Sequence, residues 1–219
     1  MTADPIAATF GDSLARADRR ERPYRHWLLS GMLPEATRAA LATLPITPAR
    51  IGDTEGKRDT HNAQRIYYDD ARRAAHPACA ALARAMQSAD VIAALQRACA
   101  VRLGGTSLRI EHCQDTEGFW LEPHTDIGVK KFTMLIYLED QPGSADWGTD
   151  IHDGPANPVG RAPYRQNAGL IFVPAADTWH GFAPRPIAGV RKSLIVNYVG
   201  PEWRARHELA FPDRPVPWT

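Results

Sequence analysis

In the segment Glu122-Pro123-His124-Thr125-Asp126 an imidazole and a carboxylate stand two residues apart. Alternate side chains of an extended strand share a face, so His124 and Asp126 are candidate neighbouring ligands for one divalent metal, with a third ligand due from another strand. The pair alone is equally what a solvated loop carries, because so short a motif recurs by chance. The chain downstream favours the metal. Gly169-Leu170-Ile171-Phe172-Val173-Pro174 reads as a buried strand ending in a turn, and Trp179-His180-Gly181-Phe182 then opens another β segment with a second histidine. His180 is the candidate third ligand. Beyond it, Arg191-Lys192-Ser193-Leu194-Ile195-Val196-Asn197 alternates so that Arg191, Ser193, Ile195 and Asn197 share one face. A guanidinium beside a hydroxyl suits an acidic small molecule, whose carboxylate matches the planar fork. The plainer alternative is an exposed Arg-Lys pair at a strand start.

These residues need strands to carry them, and the chain changes character near residue 104. Before it the pattern is helical. Pro34 precedes a run with Ala36, Ala40, Leu41 and Leu44 at helical spacing, closed by Pro45. Residues 70–100 are Ala-rich, broken at Pro77 and at Ser88-Ala89-Asp90, which caps a further segment over 91–99. Residues 50–60 read as a mobile polar loop able to close over a site, and 64–68 as a short strand. After residue 104, short apolar runs over 106–113, 132–138, 170–173 and 193–199 alternate with Gly, Pro and Asp clusters, the spacing of an antiparallel sandwich or barrel. Helices first and strands afterwards predict an α+β domain in which helices buttress a β-sandwich.

Taken in order, His124-Thr125-Asp126, the run 132–138, the turn Trp147-Gly148-Thr149-Asp150-Ile151, Phe172-Val173-Pro174, His180 and Arg191-Lys192-Ser193 resemble the Fe(II)- and 2-oxoglutarate-dependent dioxygenases. The resemblance covers about residues 104–200, with fainter echoes over 23–33. It implies a double-stranded β-helix, or jelly roll, within a single domain over 1–219: mainly helical support over 1–103, the jelly-roll core over 104–200 and an extension over 201–219. It implies Fe(II) held by His124, Asp126 and His180 on one octahedral face, the other positions left to co-substrate and O2. Arg191 then pairs as a bidentate fork with the distal carboxylate of 2-oxoglutarate, and Ser193 hydrogen-bonds beside it. Tyr137, in phase with Thr133 and Leu135, either touches the co-substrate or packs with its hydroxyl satisfied. Lys192 points to the opposite face.

Asp126 stands where related halogenases carry Gly or Ala, which implies hydroxylation. Leu121 and Arg191 stand where prolyl-hydroxylase-like members often carry Tyr and Lys, and both departures point away from a close prolyl hydroxylase. The implied reaction is hydroxylation of a C–H bond of a small molecule, an amino acid or natural-product intermediate, with release of succinate and CO2. Alternatives are a residue in a protein or peptide, a zinc hydrolase using the same ligands, and a jelly-roll module that binds metal without turnover. Asn62, Arg65 and Arg185 are candidate substrate contacts.

The composition excludes other classes. Lys plus Arg number 26 against 25 for Asp plus Glu, far from the basic excess of a nucleic-acid binder. No stretch approaches the roughly 18 apolar residues that span a bilayer, and residues 1–20 hold no apolar signal-peptide core, so the reading is cytoplasmic with no membrane partner. Cys79, Cys99 and Cys113 lack any CxxC spacing and read as buried free thiols. His26, His61, His76, His112, His152 and His207 read as surface or hydrogen-bonded structural residues.

Overall fold

A computed structural model of the protein describes residues 4–58 and 65–218. Asn62, His61 and the first residue of the expected strand over 64–68 lie outside the described residues.

Helix α1 (Pro5–Ala15) starts at Asp4, whose carboxylate accepts the Ile6 N–H at 2.8 Å, with proline at the first helical position. The sequence reading assigns no element there, although Asp-Pro is itself a start signal. Helix α2 (Glu35–Ala42) follows Pro34 as expected. The Ala-rich stretch divides into α3 (Asp70–Ala75), α4 (Pro77–Met86) and α5 (Ala89–Cys99), and the Ser88 hydroxyl accepts the Val91 N–H at 3.4 Å. Among the described residues no single helix is long and apolar enough to cross a membrane.

Among the described residues eleven strands form two antiparallel sheets: β1 (Asp18–Arg20), β2 (His26–Ser30), β3 (Ile66–Tyr67), β4 (Ser107–Asp115), β5 (Leu121–His124), β6 (Lys130–Tyr137), β7 (Asp150–His152), β8 (Pro158–Arg161), β9 (Ala168–Phe172), β10 (His180–Phe182) and β11 (Arg191–Val199). The larger sheet runs β1-β2-β9-β6-β11-β4-β3 and the smaller β5-β10-β7-β8. The expected division at residue 104 is therefore incomplete, because β1, β2 and β3 come from the first half and extend both edges of the larger sheet. β2 hides in a Pro- and Arg-rich stretch, and its pairing with the buried β9 decides its state.

Period-2 alternation splits the larger sheet between two cores. Phe132, Met134, Ile136, Leu194, Val196 and Tyr198 face the helices and pack with Phe10, Leu41, Leu82 and Leu95. Leu135, Tyr137, Leu170 and Phe172 face the smaller sheet and pack with Trp147, Ile151, Tyr164 and Phe182. The segment over 201–218 runs along β4, the Ala210 N–H donating to Leu108 O and the Val216 N–H to Thr106 O, both at 2.8 Å. All three cysteines are buried free thiols.

Gly169 lets β9 lie close on its neighbours, since a Cβ there would run into the carbonyl oxygen of Leu135 and the sulfur of Met32. Gly169→Ala is expected to cost about 1–3 kcal/mol as overpacking. The measurement is the urea midpoint at unchanged slope, and an unshifted midpoint would show that β9 has room to move.

Candidate active site

β5 and β10 pair antiparallel with His180 directly opposite His124, which brings the two rings to 4.4 Å between centroids. Each ring is oriented by the carbonyl two residues earlier. His124 Nδ1 lies 2.8 Å from Glu122 O and His180 Nδ1 lies 3.0 Å from Thr178 O. A carbonyl only accepts, so both Nδ1 atoms carry the proton and both Nε2 lone pairs stay available to a metal.

Asp126 reaches the histidines from beyond the end of β5 instead of from within it, which corrects the expected strand geometry. Its carboxylate is braced from the larger sheet. Thr133 donates to Oδ2 at 2.6 Å and Lys130 to Oδ1 at 2.5 Å, while Asn197 Nδ2 donates to Thr133 Oγ1 at 2.9 Å. Burial alone would raise the Asp126 pKa, but Lys130, His180 and the Thr133 hydroxyl hold it down at about 2. Burial pushes His180 down to about 4 against the pull of Asp126, with His124 adding to the depression. One ligand atom from each of His124, Asp126 and His180 lies within 4.8 Å of the others. Two imidazoles that present Nε2 and one carboxylate fit a divalent ion of the iron or zinc kind.

The trio opens into a cavity of about 420 Å³ that Arg191, Arg109 and Trp203 also line. Arg191 is buried: Nε donates to Trp147 O at 2.6 Å and Nη1 to Asp115 Oδ2 at 2.5 Å. Among the described residues Nη2 donates to nothing. The free fork expected from the sequence is thus already half used, by a counter-ion the sequence reading missed. Among the described residues the fully buried Ser193 Oγ has no hydrogen-bond partner. The Tyr164 hydroxyl is likewise buried without a partner among them, its ring 5.8 Å from the Arg191 guanidinium carbon. Neither residue lines the cavity, whereas Arg191 does, and its unused edge fits a carboxylate.

Tyr137 stands behind the cavity wall, where its hydroxyl donates to Thr149 Oγ1 at 2.9 Å and accepts the Thr149 N–H at 3.0 Å. Lys192 turns to the helical side, bonding Ala42 O at 2.9 Å and Glu139 at 3.0 Å. Arg185 bonds Ala183 O, Asp146 O and Asp150 and is not part of the cavity lining. Arg65 does line it, paired with Glu111 through Nε at 3.0 Å and Nη2 at 2.8 Å.

Alternation along β4 puts Arg109, Glu111 and Asp115 on one face, a charged series inside a buried strand that the sequence displays and the reading passed over. Arg109 donates to Glu111 at 3.0 Å, Glu208 at 2.6 Å and Asn197 at 3.0 Å. Burial pushes the Glu111 carboxyl up, yet Arg65, Arg109 and Arg58 outweigh it and hold the group well below the usual carboxylate range. The expected loop over 50–60 is pinned over its described part. Thr54 exchanges hydrogen bonds with the Trp120 backbone, Trp120 Nε1 donates to Asp53 Oδ1 at 2.6 Å, and the Glu122 N–H donates to Gly56 O at 2.9 Å.

No family model and no curated sequence matches the chain. Solved structures do. A prolyl 4-hydroxylase structure from Phytophthora capsici shares 14% identity over 92% of this chain and 68% of its own, with a TM-score of 0.61. A Pseudomonas putida prolyl-4-hydroxylase shares 17% over 91% and 99%, at 0.56, and iron-bound HygX from Streptomyces hygroscopicus 16% over 82% and 85%, at 0.51. The chain therefore shares the mixed helix and antiparallel-sheet fold of these hydroxylase and HygX structures, and the resemblance seen in the sequence holds at the level of the fold.

Glu111→Gln would leave Arg65 and Arg109 short of their shared counter-ion, an expected loss of about 3–5 kcal/mol in unfolding free energy near neutral pH. Because the folded pKa is depressed, the stabilisation is full above the unfolded value of about 4.3 and drains as pH falls below it. The gap between wild type and variant should hold from about pH 7 to about pH 5 and narrow from there to about pH 3, and a constant gap throughout would show that Glu111 is not held as a paired carboxylate.

Proposed function

We propose that this protein is an Fe(II)- and 2-oxoglutarate-dependent dioxygenase that hydroxylates a C–H bond of a small molecule, and that its two sheets are the faces of a double-stranded β-helix. The observation that carries the reading is the His124, Asp126 and His180 cluster, with both Nε2 atoms freed, in one cavity with the half-used guanidinium of Arg191. Those three residues hold the metal. Arg191 takes the distal carboxylate of 2-oxoglutarate on its unused edge, with Ser193 next along the same face of β11. Iron and 2-oxoglutarate, when bound, supply the oxidant from O2 that turns C–H into C–OH, leaving succinate and CO2.

The chain's own contribution is geometry. The Glu122 and Thr178 carbonyls hold the proton of each imidazole on Nδ1 and turn Nε2 inward, and Thr133, itself held by Asn197, fixes the carboxylate that completes the face. Leu135, Ile195 and Phe182 line the cavity with apolar surface and exclude water around the reacting groups. Asp115 and Trp147 O set the angle of Arg191. A cavity of about 420 Å³ is of the size that encloses metabolites, and this supports an amino acid or natural-product intermediate as substrate.

His180→Ala is expected to abolish both tight divalent-metal binding and turnover, with the helical circular dichroism retained. Metal binding by calorimetry separates this from loss of activity alone, and full activity in the variant would remove His180 from the site. Succinate should form from 2-oxoglutarate in step with O2 uptake and cease on chelation. Turnover without O2 would favour a hydrolase, and metal binding without turnover a binding module.

Arg191→Ala is expected to raise the 2-oxoglutarate requirement roughly tenfold to hundredfold, whereas Lys192→Ala, on the helical face, should change it little. The apparent 2-oxoglutarate affinity of both variants is the readout. A loss confined to Lys192→Ala would move the anchor to the other face of β11.

A further inference from the structure

The wall built on β4 is lined with charge. Among the described residues Arg58, Arg65, Arg109 and Arg191 meet the carboxylates of Glu111, Asp115 and Glu208. Glu111 bonds Arg65 and Arg109, with Arg58 Nη1 3.9 Å from its Oε1, and Asp115 is the carboxylate on which Arg58 and Arg191 converge. Asp115 Oδ2 meets Arg191 Nη1 at 2.5 Å and Oδ1 meets Arg58 Nη1 at 3.3 Å. Two guanidiniums that converge on one carboxylate present a site for a second carboxylate between them.

The two guanidiniums are also prepared to receive one. Arg58 rests over Phe119 at 4.8 Å and Arg191 over Phe182 at 4.9 Å, and the two rings lie 5.5 Å apart, so both cations stand on a common aromatic floor. Both line the cavity that the histidines open into. Among the described residues Arg58 Nε and Nη2 and Arg191 Nη2 donate to nothing. The segment that carries Arg58 is fastened by Thr54, Asp53 and Gly56 to Trp120 and Glu122, beside β5, so its guanidinium is placed before any ligand arrives.

We infer that Arg58 and Arg191 form a two-arginine carboxylate clamp bridged by Asp115, and that Arg58 is a second anchor for the distal carboxylate of 2-oxoglutarate. The inference rests on the co-substrate reading above. Bound there, the carboxylate gives the alternating series Arg58, Asp115, Arg191 and ligand, in which each anion touches both cations. Selection of a dicarboxylic over a monocarboxylic 2-oxo acid then follows from two guanidiniums that converge on one place.

The test is calorimetric binding of 2-oxoglutarate, and of 2-oxobutyrate as the probe lacking a distal carboxylate, to Mn(II)-loaded protein without O2, so that no turnover is needed. Arg58→Gln is expected to weaken 2-oxoglutarate about tenfold and leave 2-oxobutyrate unchanged, with Arg58→Lys intermediate. Equal thermal unfolding of the three proteins certifies the fold, and Arg58→Lys serves alone if Arg58→Gln does not fold. If Arg191→Gln loses 2-oxoglutarate and the Arg58 variants do not, the clamp is overturned and the co-substrate reading stands. If neither position affects 2-oxoglutarate, that reading itself fails. Unchanged 2-oxoglutarate binding in Arg58→Gln together with a raised KM for an acidic substrate would reassign Arg58 to the substrate and overturn the clamp.

Discussion

The antiparallel pairing of β5 with β10 is the constraint on which the rest of this structure turns. Its register sets His180 against His124, and side chains directly opposite on paired strands have no choice but to meet. A slip of one residue would send one imidazole to the other face of the sheet. β10 is held on its far side by β7, where His180 pairs with Ile151 and Gly181 with Asp150. Asp150 in turn accepts from the Ala183 N–H at 2.7 Å and from Arg161 at 2.8 Å, so the smaller sheet locks the histidine strand by means that have nothing to do with metal.

Buried charge organises the other half of the cavity. An isolated buried guanidinium is expensive, and this protein places two of them, Arg109 and Arg191, along one wall with the half-buried Arg65 by interleaving carboxylates from β4 and the C-terminal segment. The arrangement specifies geometry more than it adds stability. Each carboxylate oxygen fixes the direction of an arginine, so the polar end of the cavity is as rigid as its apolar floor.

The parts of this architecture legible in the sequence are those fixed by local pattern. The runs over 106–113, 132–138, 170–173 and 193–199 became β4, β6, β9 and β11 because long, buried, alternating strands announce themselves. β1, β5, β7 and β8 did not, since short or exposed strands take their state from the neighbour they pair with. At the site, the phase that put Arg191, Ser193 and Asn197 together was readable from period 2 alone. The partners were not. Asp115 for Arg191, Thr133 for Asp126 and Thr149 for the Tyr137 hydroxyl each come from a different strand or turn, and no local rule names a partner across that distance. Arg65 was readable as a candidate substrate contact, and its pairing with Glu111 makes it part of the wall.

The trio of ligand candidates does not belong to one layer. The imidazoles ride on the smaller sheet, whereas the carboxylate between them is steered by Thr133 and Lys130 of the larger one. The gap between the layers is set by the side chains packed inside it, Leu135, Leu170, Phe172 and Phe182 among them. That apolar filling is therefore a spacer for the coordination sphere. A methyl group added or lost there changes how far apart nitrogen and oxygen donors stand, and so which ion radius the protein prefers, without any ligand being touched.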